Sequence, residues 1–125
     1  MNNDEFVKQY YEIAGRAMAF SEKARREGLL ALEEDSDQEK IDGRDIFEYG
    51  IRFVVDGTDR DMIEKILSNI IAQEKDEYQR VLKTIQKEAV LAIQSGLNPR
   101  MLASLMNSYT DLPLSDEKHR EMLND

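Results

Sequence analysis

The sequence predicts an all-α fold: an elongated helical bundle built on a long antiparallel helix hairpin, with shorter helices flanking it. Three observations carry this. Apolar residues recur at intervals of three and four over most of the chain, the 3.6-residue period of a helix. Only two prolines, Pro99 and Pro113, interrupt the 125 residues. Strand-like alternation bounded by turn signals is missing; the β-branched and aromatic stretch at 51–55 has no partner strand, so it reads as helix.

The first helix is expected over 4–34, with Phe6, Tyr10, Ile13, Ala17, Phe20, Ala24, Leu29 and Leu32 on its apolar face. Gly28 lies inside it and costs about 1 kcal/mol against alanine, so it marks a kink or a close backbone approach. A polar linker, 33–42, follows. The second helix is expected over 44–55, with Ile46, Phe47, Ile51, Val54 and Val55 apolar. Asp56 and Gly57 form its turn or C-cap.

A third helix, N-capped by Thr58 or Asp59, is expected to run unbroken to Ser95, although Glu74 interrupts its apolar stripe. It would be about 55 Å long and form the hairpin with the first. Gly96 ends it. Asn98 then caps a fourth helix at 99–109, with Pro99 at its first position and Met101, Leu102, Leu105 and Met106 on its apolar stripe. Residues 1–110 read as one domain and 111–125 as an acidic tail with a short helix at 115–123.

Composition excludes several functions. Hydrophobic residues are 41% and charged residues 34%, too apolar for disorder, and charges interrupt every window long enough to span a bilayer. Residues 1–5 are polar and acidic, unlike a secretory signal. A net charge of −9 disfavours nucleic acid and anionic lipid and suits a partner with a basic or mixed face. No cysteine is present, which fits a reducing compartment. The single histidine, His119, sits in a polar tail without converging partners, so neither general-base nor metal chemistry is expected. Glu33, Glu34, Asp35, Asp37 and Glu39 lack the glycine and terminal glutamate of an EF-hand loop. No catalytic residue, metal site or cofactor is therefore expected.

Two separated segments carry a family resemblance. Residues 21–34 read SEKARREGLLALEE and are followed by IFEYGIRFVVDG at 46–57; residues 88–102 read EAVLAIQSGLNPRML, with an Ile-Gln-x-Gly-x-Asn-Pro-Arg core at 93–100. In this order they resemble the cytoplasmic portions of the MotA family, the stator proteins of the bacterial flagellar motor. The family's membrane helices have no counterpart here, so the resemblance does not imply ion conduction. It implies a cytoplasmic protein that engages a FliG-like rotor protein or other motor components. The family's charged rotor-facing positions match Arg25 and Glu33, with Arg26 and Glu34 beside them. Their eight-residue spacing would put them about two turns apart on nearly one helical face. Against this stands a solvated helix surface with intrahelical pairs such as Glu22–Arg26. Arg100 is a candidate to pair with acids of the first or third helix. The alternative function is a structural or self-associating helical adaptor without a motor role. A monomer or small oligomer is expected.

Overall fold

Short polar side chains decide where the helices begin. In a computed structural model, which describes residues 1–35 and 45–113, the elements are α1 (Asn3–Glu27), a 3-10 segment (Leu29–Asp35), α2 (Ile46–Val55), α3 (Arg60–Ile71), α4 (Glu77–Ser95) and α5 (Pro99–Asn107). Asn2, Asp45, Asp59, Asp76 and Asn98 precede the five α-helices, and each accepts a hydrogen bond from a backbone N–H of the first turn. Those donors have no partner inside the helix, so each cap removes an unsatisfied group. The described residues are all-α, as the periodicity implies, and 51–55 is helical. The expected tail helix at 115–123 and the polar linker beyond Asp35 fall outside the described residues.

The expected unbroken third helix is instead two, α3 and α4, separated at 72–76. The sequence there supplies better partners than helix continuation. The Glu74 carboxylate accepts from the N–H groups of Lys75 (3.0 Å) and Asp76 (3.1 Å) and pairs with Lys83 at 2.8 Å. The Arg80 guanidinium donates to the Glu74 carbonyl, and Asp76 caps α4 through the Gln79 N–H. The residue that spoiled the apolar stripe is thus the centre of a turn.

This turn reverses the chain and changes the sense of the long-helix pair. The two longest helices, α1 and α4, do pack together, but not antiparallel. Phe6 meets Tyr78 with ring centroids 5.1 Å apart, Gln79 donates to Gln9 at 3.1 Å, and Arg25 reaches the Gly96 carbonyl at 3.1 Å. N-terminal ends therefore lie together and C-terminal ends lie together. The antiparallel partner of α4 is α3, held by Lys87–Glu64 at 3.0 Å and by the Gln94 amide on the Thr58 carbonyl at 2.9 Å. Helix α5 runs back along both, and the Tyr10 hydroxyl donates to Asn107 near its end. Burial pushes that hydroxyl's pKa well above the ordinary tyrosine value.

Helix α4 is the axis of the bundle. It touches α1, α2, α3 and α5, and Ala89, Val90, Leu91, Ala92 and Ile93 are all buried in succession. Helix α1 also buries more than one stripe, adding Ala14, Met18 and Ser21 to the expected face, because α5 covers it as well as α4. The closest approach is at Gly50 of α2. A Cβ there would lie 2.6 Å from Val90 Cγ2 and 2.9 Å from Cγ1.

Two outcomes follow from these contacts. Gly50→Ala should gain helix propensity of about 1 kcal/mol yet lose more to overpacking against the fully buried Val90, for a net destabilisation of about 1–2 kcal/mol in urea unfolding. Net stabilisation would mean that α2 does not approach α4 this closely. At the α3–α4 turn, the Lys83 hydrogen bond first, then the Asp76 N–H, hold Glu74 below its ordinary pKa of 4.5. A depressed folded pKa contributes stability that is complete above the unfolded value and is lost as pH falls through the folded one. The stability gap between wild type and Glu74→Gln should be constant at neutral pH and close in acid.

Candidate functional site

The two segments that resemble MotA converge at one end of the bundle. Parallel packing brings the C-termini of α1 and α4 together, and the turns into α3 and α5 lie beside them. Three glycines with positive φ make these corners: Gly28 at +92°, Gly57 at +75° and Gly96 at +77°.

Gly57 and Gly96 close their helices in the same way. After α2, the Thr58 N–H reaches the Phe53 carbonyl and the Gly57 N–H that of Val54. After α4, the Leu97 N–H reaches Ala92 and the Gly96 N–H reaches Ile93. These are Schellman caps, which need the left-handed conformation glycine adopts without strain. Gly28 differs: at φ 92° and ψ 163° it turns the chain out of α1 into the 3-10 segment. An added Cβ at Gly28 would meet nothing within 4 Å. Gly28 therefore neither kinks a helix running to residue 34 nor admits a close backbone approach: it ends α1.

The C-terminal turn of α4 is the hub of this end. The Arg25 guanidinium donates to the Gly96 carbonyl on one side, and the Gln94 amide donates to the Thr58 carbonyl on the other. A cation at that terminus also opposes the partial negative charge of the helix end. Between the two helix ends lies a cleft of about 440 Å³ lined by Ala24, Arg25, Gly28, Leu29, Gln94 and Gly96. A separate open cleft of about 600 Å³ runs along α1 near Lys8, Glu12, Arg16, Asp45, Lys83 and Gln86; it includes neither Arg25 nor Gly96.

The charged candidates separate into two kinds. Arg26 lies 3.3 Å from Glu22 and 3.6 Å from Glu27, and Glu34 lies 3.0 Å from Lys23. Arg25 and Glu33 are exposed and form no ion pair among the described residues. They do not share a helical face as their spacing suggested, because α1 ends at Glu27 and Glu33 stands in the 3-10 segment. Arg100, in the first turn of α5, is exposed and pairs with no acid of α1 or α3. Asn98 caps α5 through the Met101 N–H at 2.9 Å, with Pro99 at the first position.

Sequence periodicity missed the apolar side chains left in solvent here. Leu30 follows the Gly28 corner, Met62 lies in the first turn of α3, and Met101 lies in the first turn of α5; all three are exposed. Met106 is buried as its stripe implies, whereas Met101 sits at the stripe's outer edge. No group of three or more potential metal ligands occurs among the described residues. His119, Asp37 and Glu39 lie outside them. No described helix is long and apolar enough to cross a membrane.

Comparison with known proteins identifies relatives. The chain is 37% identical to Motility protein A of Treponema pallidum (strain Nichols) over 107 residues, which is 86% of this chain and 39% of that protein. It is 37% identical to Motility protein A of Treponema phagedenis over 89 residues, covering 69% of this chain and 32% of the relative. The chain thus spans about a third to two-fifths of the curated relatives it matches. No protein-family model matches the chain, and no solved structure matches it.

Proposed function

Because this chain is homologous to Motility protein A across most of its length, we propose that it is a MotA-like interaction module of the flagellar motor. On this reading the helical unit of residues 1–110 works in the cytoplasm, without an ion channel and without catalysis. It binds a FliG-like rotor protein, or another motor component, through the end of the bundle where α1 and α4 terminate.

One observation carries the reading. The two MotA-like segments are far apart in sequence, yet Arg25 of one is hydrogen-bonded to Gly96 of the other. The same end presents Arg25 and Glu33 without ion-pair partners among the described residues, while Arg26 and Glu34 are paired. Side chains already satisfied internally gain little from a partner. Unpaired ones supply charge complementarity, which sets register and encounter rate more than raw affinity. Arg25 has a structural role too, so a loss at Arg25 alone mixes folding with recognition. Glu33 is the cleaner probe.

The test is titration of the chain with the C-terminal domain of FliG at low and moderate salt, with Glu33→Lys and Arg25→Glu in parallel. The proposal expects salt-sensitive binding, weakened roughly three- to tenfold by Glu33→Lys at low salt. Circular dichroism on Arg25→Glu separates lost fold from lost binding. Absence of salt-sensitive binding, or unchanged binding by both variants, would refute the motor role. The adaptor reading draws on exposed Leu30 and Met101; it expects self-association in light scattering and no rotor binding.

A further inference from the structure

We infer that the exposed stripe of α1 along Glu5, Lys8, Glu12 and Arg16 is a self-recognition surface. Its occupant is the same stripe of a second copy of this chain, laid antiparallel about a two-fold axis. This face includes neither Arg25 nor Gly96, so the inference stands apart from the rotor reading.

Positions 5, 8, 12 and 16 are three or four residues apart, so on α1 they fall within about 80° of one another. All four are exposed. All four also line one open cleft of about 600 Å³, whose other wall includes Lys83 and Gln86 of α4. Their charges alternate: negative, positive, negative, positive. Lys8–Glu12 and Glu12–Arg16 have the i,i+4 spacing at which opposite charges pair within a helix. Neither pair forms. The Arg16 guanidinium instead leans over the Phe47 ring, 5.1 Å from its centroid, and reaches Glu48 at 3.5 Å. Lys8 and Glu12 make no ion pair among the described residues. The charges at the middle of the stripe are thus left for another molecule.

The order of the charges chooses the occupant. Read in reverse, the stripe is its own complement. A two-fold axis near residue 10 sets Glu5 against Arg16 of the second copy and Lys8 against Glu12 of the second copy. The same axis repeats both pairs the other way round, as an isologous contact requires. The two kinds of pair agree in register to within about 0.8 Å along the helix axis. A parallel arrangement in the same register would set like charge on like charge. An unrelated partner needs a matching pattern of its own, whereas a second copy brings it by symmetry. The stripe itself is neutral, although the chain carries −9. Exposed charges elsewhere are screened beyond about 8 Å at physiological salt. Single surface pairs contribute little, so the dimer is a weak one and sensitive to salt. Antiparallel pairing puts the two glycine-cornered ends at opposite extremities, each open to its own partner.

The experiment is sedimentation velocity of the full chain over a wide concentration range, at low and moderate salt. It compares wild type, Lys8→Glu, Glu12→Lys, the Lys8→Glu/Glu12→Lys double variant, and an equimolar mixture of the two single variants. Wild type is expected to dimerise reversibly, and less at moderate salt. Each single variant should weaken dimerisation about tenfold, because it turns two attractive pairs into two repulsive ones. The double variant and the mixture should both recover, since each again sets opposite charges across the axis. Recovery in the mixture separates pairing from net charge, because its dimer carries the same total charge as the wild-type dimer. Melting temperatures check the fold, and the double variant carries the test if a single variant unfolds. A wild type that stays monomeric, single variants that dimerise as wild type does, or folded single variants that stay monomeric when mixed would each overturn the inference.

Discussion

The structure depends on one constraint: α4 must be covered on every side. Five consecutive residues, Ala89 to Ile93, are buried, which no helix achieves against a single neighbour, because consecutive positions point about 100° apart. Four helices are needed, and α1, α2, α3 and α5 supply them. Gly50 shows how tight the cover is, since α2 comes close enough to Val90 to leave no room for a methyl group.

The reversal at 72–76 makes this cover possible within a single chain. A continuous helix from Asp59 to Ser95 would leave α4 without its antiparallel neighbour and expose Ile63, Leu67 and Ile71, all of which are buried. Folding α3 back onto α4 buries them. It also makes α1 and α4 parallel, and this has a functional consequence. Two C-termini, with their like partial charges, meet at one end, and Arg25 on the Gly96 carbonyl offsets that charge. The positive-φ glycines, Arg25 and Glu33, which form no ion pair among the described residues, and the exposed Met62 and Met101 gather at that same end.

Much of this was legible in the sequence because it is local. The 3.6-residue period identified the helices, and Asn98-Pro99 and Asp56-Gly57 marked a start and a stop through hydrogen bonds made within a few residues. The turn at Glu74 was not read as a turn, because its strength comes from Lys83 and Arg80, several residues ahead, and helix propensity at 72–76 is otherwise good. The parallel sense of α1 and α4 is tertiary, and an error at one turn inverted it. At the candidate site, the sequence pointed to Arg25 and Glu33 through resemblance but placed them on one helical face. The break at Gly28, and the separation of paired from unpaired charges, required coordinates.

The central claim is that α1 and α4 run parallel and so join the two MotA-like segments at one end. The chain has no cysteine, so paired cysteines report this without background. Cross-linking of Gln9→Cys/Gln79→Cys by a short bismaleimide should be efficient, because the two glutamine side chains meet end to end at 3.1 Å and the spacer replaces the length lost on truncation to cysteine, while Gln9→Cys/Ser95→Cys should stay unlinked. Efficient cross-linking of the second pair with failure of the first would mean an antiparallel hairpin, and the proposed docking end would not exist.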